Sequence, residues 1–228
     1  MSMPFYVAPE QMMKDRADYA RKGIARGRAL IGAVYQVGVL LCAENPSRSL
    51  HKVSEIYDRI AFAGVGKYNE FDQLRVAGIR HADTKGFAYA RDDVDARSLA
   101  NLYAQYLGQV FTHEVKPLEV EILVAELGAA GRESQLFHIL YDGTVVDEQH
   151  FAVIGGDSDA IAERFAGAYS SDWNLQDALR ACVAALSEEE HQLHYEDLEV
   201  AVLEDRGERR TFRRIAGGEL QSLVGDPG

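Results

Sequence analysis

The sequence predicts an α+β fold, a four-layer αββα sandwich in which two antiparallel sheets pack face to face between helix pairs. Three observations lead there. Secondary-structure signals come in blocks, in the order helix, strands, two helices, strands, two helices, strand, without strict βαβ alternation, and such blocks favour α+β layering. The first two strand segments, Ala29–Tyr35 and Val37–Ala43, carry apolar residues on both faces, as strands covered on two sides do. Asp142-Gly143, between Gln135–Tyr141 and Thr144–Val153, is a hairpin signal, so those neighbours run antiparallel.

Taken in chain order, the first ten residues have no periodicity, include Pro4 and Pro9, and read as a flexible arm, residues 1–10. Residues 11–228 read as one domain, of a length that fits a single sizeable core. Its first part, 11–27, is helical: Met12, Met13, Tyr19, Ala20 and Ile24 form a loose apolar stripe, and Gly27 is the stop. After the first two strands, Glu44-Asn45-Pro46-Ser47 is turn chemistry, and Lys52–Ala63 reads as one or two short strands with Ile56, Ile60 and Phe62 alternating. A helix starts near Tyr68. The clearest helix carries Leu99, Leu102, Tyr103, Tyr106, Leu107, Val110 and Phe111 in i, i+3, i+4 register, with Ser98 or Asp95 as cap. Glu119–Glu126 alternates as a strand. Helices follow from Ser158 and from Ser171 or Asp172, then a polar Glu/His loop (Ser187–Tyr195), a strand Leu198–Leu203 and a short helix Gly217–Val224.

Composition is that of an ordinary globular protein, 47% hydrophobic and 26% charged. No apolar run approaches the roughly 20 residues a membrane span needs. The N-terminus lacks the pattern of a secretory signal, so a cytoplasmic location is expected. Cys42 and Cys182 are too few for a disulfide framework and sit in apolar patterns, which suits buried free thiols. A net charge of −12 disfavours a nucleic-acid partner. Against that acidic background, Lys14, Arg16, Arg21, Lys22, Arg26 and Arg28 make the first helix basic, which suits either contact with acidic partners or a solvated face.

Chemical motifs are sparse. Gly64-Val65-Gly66-Lys67 lacks the full phosphate-loop spacing, and Tyr68 stands where a magnesium-binding hydroxyl would be needed. His113-Glu114 has Pro117 in place of a second zinc-binding His. His191 and His194 share a loop with Glu188, Glu189, Glu190 and Glu196, which suits a solvated loop better than a metal site. No GxSxG elbow occurs. No cofactor, metal or catalytic residue is expected.

Asp18-Tyr19-Ala20 followed by Gly27 and Gly32, in DYARKGIARGRALIG, resembles the N-terminal signature of proteasome α subunits. The segment GVLLCAENPSRSLHKVSEIYDRIAFAGVGKYNEFDQLRVAGI is similar to the actinobacterial α type. RSLANLYAQYLGQVFT, KPLEVEILVAELG, LYDGTVVDEQHFAVIGG and LEVAVLEDRG follow in order, so the resemblance covers nearly the whole chain. It implies the fold of N-terminal-nucleophile hydrolases with an extra N-terminal helix. It also implies a non-catalytic place in the 20S core particle, a threonine-type endopeptidase complex. Partners implied are identical subunits in a heptameric ring, catalytic β subunits, and a hexameric ATPase that docks through its C-terminal tails. By the same resemblance Lys52 and Gly27 form the activator pocket, as its lysine and its floor, and the arm closes the pore, with Tyr6 and Pro9 as gate residues. Two departures stand out: Lys67 replaces an apolar pocket residue of archaeal relatives, and their Tyr-Asp-Arg gating motif is missing from MSMPFYVAPEQ.

The rival readings are a catalytic β-type subunit, a stand-alone amidohydrolase of the same fold, and a binding module unrelated to proteolysis. The β chemistry needs a threonine whose own amine acts as base, whereas the first threonine here is Thr84. An amidohydrolase using Ser2 would carry no helix before its first strand. The resemblance alone argues against the binding module.

Overall fold

A computed structural model of the chain describes residues 8–129, 131–188 and 191–225. The elements are α1 (Pro9–Ala25), β1 (Leu30–Tyr35), β2 (Gly38–Glu44), β3 (Val53–Tyr57), β4 (Ile60–Gly66), α2 (Tyr68–Ala88), α3 (Ala96–His113), β5 (Val120–Glu126), β6 (Gln135–Ile139), β7 (Val145–Glu148), β8 (Phe151–Ile154), α4 (Ser158–Ala166), α5 (Leu175–Leu186), β9 (Leu198–Glu204), β10 (Phe212–Ile215) and α6 (Gly217–Val224). The strands form two five-stranded sheets, ordered β10-β9-β2-β1-β8 and β3-β4-β5-β6-β7, with every pairing antiparallel. This is the expected α+β sandwich.

Strand alternation decides which layer each side chain enters. Leu30, Val39, Leu41 and Leu203 from one sheet meet Val53, Ala63, Leu123 and Leu136 from the other in the layer between the sheets. The outer face of the first sheet, with Ile31, Leu40, Cys42 and Val200, packs against α4, α5 and α6 through Phe165, Leu179, Cys182 and Leu220. The outer face of the second, with Phe62, Ile122, Val124 and Phe137, packs against α2 and α3 through Phe71, Leu74, Leu99, Tyr103 and Leu107. Both cysteines are buried and free.

The inner layer leaves no spare room at Gly32. A Cβ built there would overlap Leu123 Cδ2 of the opposite sheet and lie 3.1 Å from Leu41 Cδ2.

Local chemistry explains the boundaries. α1 begins at Pro9, two residues before the expected start, because a proline at the first helical position lacks only an N–H that has no partner there. Asp95 caps α3 by accepting from Ser98 N at 2.8 Å. α5 starts at Leu175 under an Asn174 cap, later than the expected Ser171 or Asp172. Thr144–Val153, expected as one strand, is two: β7 belongs to one sheet and β8 to the other, and the chain crosses the sandwich at Gln149-His150. β10 had no sequence expectation. It is four residues with Arg213 and Arg214 in its middle, too short and charged to show a period.

α1 lies across one end of the sandwich, against β4 and β5. Ala20 and Ile24 are buried with Tyr141. Gly23 lets the helix close on Glu119, whose carboxylate would overlap any Cβ. Arg16 donates to the Phe111 and Glu114 carbonyls, so a cation caps the negative C-terminal end of α3.

The packing at Gly32 is testable. Gly32→Val should lower stability by about 1–3 kcal/mol, the cost of overfilling a close-packed core. Gly218→Ala, which meets open space, should be near neutral. Urea unfolding of both variants beside the unaltered chain measures the difference.

Candidate functional site

The site forms where α1 ends and the first sheet begins. α1 stops at Arg26-Gly27, and Gly27 N donates to Ile24 O at 2.8 Å. A Cβ at Gly27 would stand 2.8 Å from Val65 Cγ1 and 3.0 Å from Gly66 N, so only glycine allows this approach to β4. The Gly27 carbonyl accepts from Gly156 N at 2.8 Å. Gly156 and its neighbour Gly155 have φ of 57° and 74°, the left-handed region open to glycine, and this double turn brings the chain after β8 to the end of α1.

Arg28 follows, and its carbonyl accepts a hydrogen bond from Lys52 Nζ at 2.5 Å. Lys52 and Gly27 are therefore brought together, one peptide unit apart around Arg28. The Arg28 guanidinium pairs with the Glu44 carboxylate at the end of β2, and Glu44 Oε1 also lies 3.3 Å from His191 Nε2.

The backbone of Lys52 is held by a buried carboxylate. Glu199 of β9 is only 8% exposed, and a charge so placed needs several donors. It has them: Asn45 Nδ2 at 2.7 Å, Lys52 N at 2.8 Å, Val53 N at 3.2 Å and Arg214 Nη1 at 2.6 Å, with His51 Nδ1 at 3.3 Å. Asn45 also donates to Leu50 O at 2.7 Å and accepts from Ser47 N at 3.2 Å, while Leu50 N donates to Ser47 Oγ at 3.1 Å. The Asn45-Pro46-Ser47 turn and Glu199 thus fold the β2–β3 loop and fix where Lys52 leaves it.

The half-buried Lys52 ammonium titrates low, at about 8. Burial is the main cause, since it disfavours the charged form, and the positive Arg28 adds to it while Glu199 opposes both. With one of three N–H groups given to Arg28 O, two remain for an acceptor such as a carboxylate.

Other sequence candidates fall elsewhere. Pro9 opens α1 at the far end of that helix, and Tyr6 lies outside the described residues. Gly64, Val65 and Gly66 belong to β4. Lys67 is the N-cap residue of α2 and pairs with Glu70 at 3.3 Å, so the stretch is a strand-to-helix turn. His191 faces Glu44, whereas His194 is tied by its backbone N to Asp197 at 3.2 Å, and among the described residues no group of three metal-binding side chains occurs. Glu189 and Glu190 lie outside the described residues. Glu199 was not singled out from the sequence, Glu44 and Asn45 were read only as turn residues, and Arg28 was read as part of the basic first helix, whereas α1 ends at Ala25 and leaves Arg26 and Arg28 beyond it. The signal was there for Glu199: a carboxylate inside LEVAVL, a strand apolar on both faces, must find partners.

Residues 24–203 match the family described as proteasome subunit. The chain belongs to the proteasome subunit family. Within it the chain is of the α type of actinobacteria. It is 73% identical over 226 residues to "Proteasome subunit alpha" of Acidimicrobium ferrooxidans, covering 99% of this chain and 97% of that one. It is 53% identical over 232 residues to the protein of the same name from Sanguibacter keddieii, covering 100% and 91%. With that of Kineococcus radiotolerans it is 51% identical over 237 residues, covering both chains in full. The family match begins at residue 24 and leaves most of α1 outside, whereas the α-named relatives extend across α1.

Glu199 carries the local structure of the site. Glu199→Ala should leave Arg214, Asn45 and two backbone N–H groups without their acceptor and cost about 3–5 kcal/mol. Thermal and urea unfolding measure it. A loss under about 1 kcal/mol would mean that the loop does not depend on this carboxylate.

Proposed function

We propose that the chain is a non-catalytic subunit of the outer rings of a bacterial 20S proteasome core, working in the cytoplasm. It forms a heptameric ring with identical subunits, stacks on rings of catalytic β subunits, gates substrate entry and docks a hexameric ATPase for degradation of tagged proteins. The observation that carries this reading is the α1–Lys52 junction: a helix laid over one end of the sandwich runs directly into β1, beside a half-buried ammonium with two donors to spare.

The continuity of α1 and β1 bears on catalysis. A terminal nucleophile at the start of β1 needs a free amine as its base, and here the nitrogens of Arg28 and Ala29 are amides within the chain. The particle's peptide-bond cleavage then falls to the β subunits, with this chain controlling access. Residues 1–8 precede α1 and Pro9 is its first residue, and we assign gating to this N-terminal arm, with Tyr6 and Pro9 as its gate residues.

Lys52, with Gly27 as the close-packed floor beside it, is the receptor for the terminal carboxylate of an ATPase tail. A charge-assisted hydrogen bond of this kind contributes roughly 1.5–3 kcal/mol. A hexamer offers several tails at once, so loss of one contact per tail multiplies through effective concentration.

Lys52→Ala should abolish ATPase-dependent protein degradation while sparing small-peptide cleavage by the assembled particle. The pH dependence has a definite sign. A tail carboxylate stays charged above neutral pH, but Lys52 loses its proton as pH rises through about 8. ATPase affinity should therefore fall between pH 7 and pH 9 and stay level over that range in Lys52→Arg, since arginine keeps its charge. Equal binding by Lys52→Ala and unaltered particles at matched salt would remove Lys52 from the pocket.

Deleting residues 1–8 should raise small-peptide turnover several-fold at unchanged particle size, read from fluorogenic peptide cleavage and sedimentation. Unchanged turnover in a correctly sized particle would show that the arm is no barrier.

A further inference from the structure

The six lysines of the chain differ in what supports their charge. Lys67 pairs with Glu70 at 3.3 Å, Lys85 with Asp95 at 2.9 Å and Lys116 with Glu119 at 2.9 Å. Lys14 and Lys22 are exposed on α1, where water solvates the ammonium. Lys52 has neither support. It is half-buried, its Nζ donates to the Arg28 carbonyl, and among the described residues no carboxylate lies within ion-pair distance of it.

The carboxylates nearby are spent on other groups. Glu199 accepts from Asn45, from the backbone N of Lys52 and Val53, and from Arg214, with His51 Nδ1 at 3.3 Å. Glu44 is paired with the Arg28 guanidinium. Burial without an anion, beside a cation, is the setting that turns a lysine into a nucleophile. Lys52 titrates at about 8, so at pH 7.5 roughly a quarter of it is free amine, against about one part in a thousand for an ordinary lysine. The neutral amine can keep its bond to Arg28 O with one N–H and still hold its lone pair free.

The surroundings also select the electrophile. Lys22 lies in the last turn of α1, Arg26 is its C-cap residue, and Arg28 follows two residues on. All three are exposed, and they form a local cationic approach on a chain of net charge −12. A reagent that carries its own negative charge is drawn to that approach, and a neutral one is not.

We infer that Lys52 is the lysine of this chain most readily acylated by small acyl phosphates, and that the acylated chain no longer receives an ATPase tail. The amine attacks the carbonyl carbon, the bond from that carbon to the phosphate oxygen breaks, the electron pair leaves with inorganic phosphate, and the nitrogen gives up its extra proton to solvent. The amide that forms is uncharged and has a single N–H, which Arg28 O takes, so nothing remains for a carboxylate. The first half of the inference stands on Lys52 and its neighbours. The second half rests on the pocket reading above.

The test of the first half incubates the full chain with acetyl phosphate at pH 7.5 and places the acetyl groups by peptide mapping and mass spectrometry. The initial rate at Lys52 should exceed the rates at Lys14 and Lys22 at least about fivefold, because only free amine reacts. Equal or slower labelling at Lys52 would overturn the inference and leave the pocket reading standing. The second half is tested on the particle assembled with the catalytic subunit of its own organism. ATPase binding should fall in step with acetyl occupancy at Lys52. The same treatment of a Lys52→Arg particle should leave its ATPase binding at the untreated level, since a guanidinium keeps its proton and does not attack. An equal loss in Lys52→Arg would assign the effect to other sites and overturn the switch. A particle acetylated at Lys52 that still binds the ATPase as before would overturn the switch and, with it, the place of Lys52 in the pocket.

Discussion

Two sheets that pack with no helix between them must bury their inner faces on each other, and in this chain that requirement sets everything else. The inner layer is made of buried Val, Leu, Ala and Ile side chains with Phe212, and Gly32 concedes space to Leu123. Once that layer is filled, the helices can cover only the outer faces, because an element between the sheets would break the contact. What stays open are the two ends and the two edges. α1 covers one end, and it can do so only because Gly23 and Gly27 let its backbone lie on Glu119, Val65 and Gly66.

The same economy of space governs the charges. Glu199 is buried in β9 because its strand is apolar on both faces, and its lone pairs are used to fold the β2–β3 loop. Lys52 leaves that loop into a half-buried position, where burial works against its charge and Glu199 works for it, and the outcome is an ammonium near its titration point. A fully solvated lysine at this position would hold its proton throughout the physiological range. Burial makes Lys52 responsive to whatever anion arrives and to pH.

Much of the fold was legible in the sequence. The blocked order of elements, the long stripe of α3 and the Asp142-Gly143 turn each follow from local chemistry, and the structure reproduces them. The misses have physical causes. The β7–β8 crossing looked like one strand because Asp147-Glu148-Gln149-His150 is a polar run with no Gly or Pro to mark a break, and nothing local tells the chain to change sheets. β10 is fixed by pairing with β9 and by Arg214 reaching Glu199 and Val53, contacts made across the fold. At the site, the pairing of Lys52 with Gly27 came from resemblance. The role of Glu199 as organiser was visible only as a charge in the wrong place, since its partners Asn45 and Arg214 lie far from it along the chain.

The strand order of the first sheet has a consequence for biosynthesis. β2 is central, and its second neighbour is β9, with Leu41 opposite Ala201, a separation of 201 − 41 = 160 residues. At translation speeds of about 5–20 residues per second, an apolar strand stands with one row of amides and carbonyls unpaired for on the order of ten seconds after it leaves the ribosome. During that time β2 can pair with another nascent chain or be held by a chaperone. The strand at the heart of the finished sheet is thus an adhesive segment of the nascent chain, and its protection depends on the last quarter of the polypeptide being made.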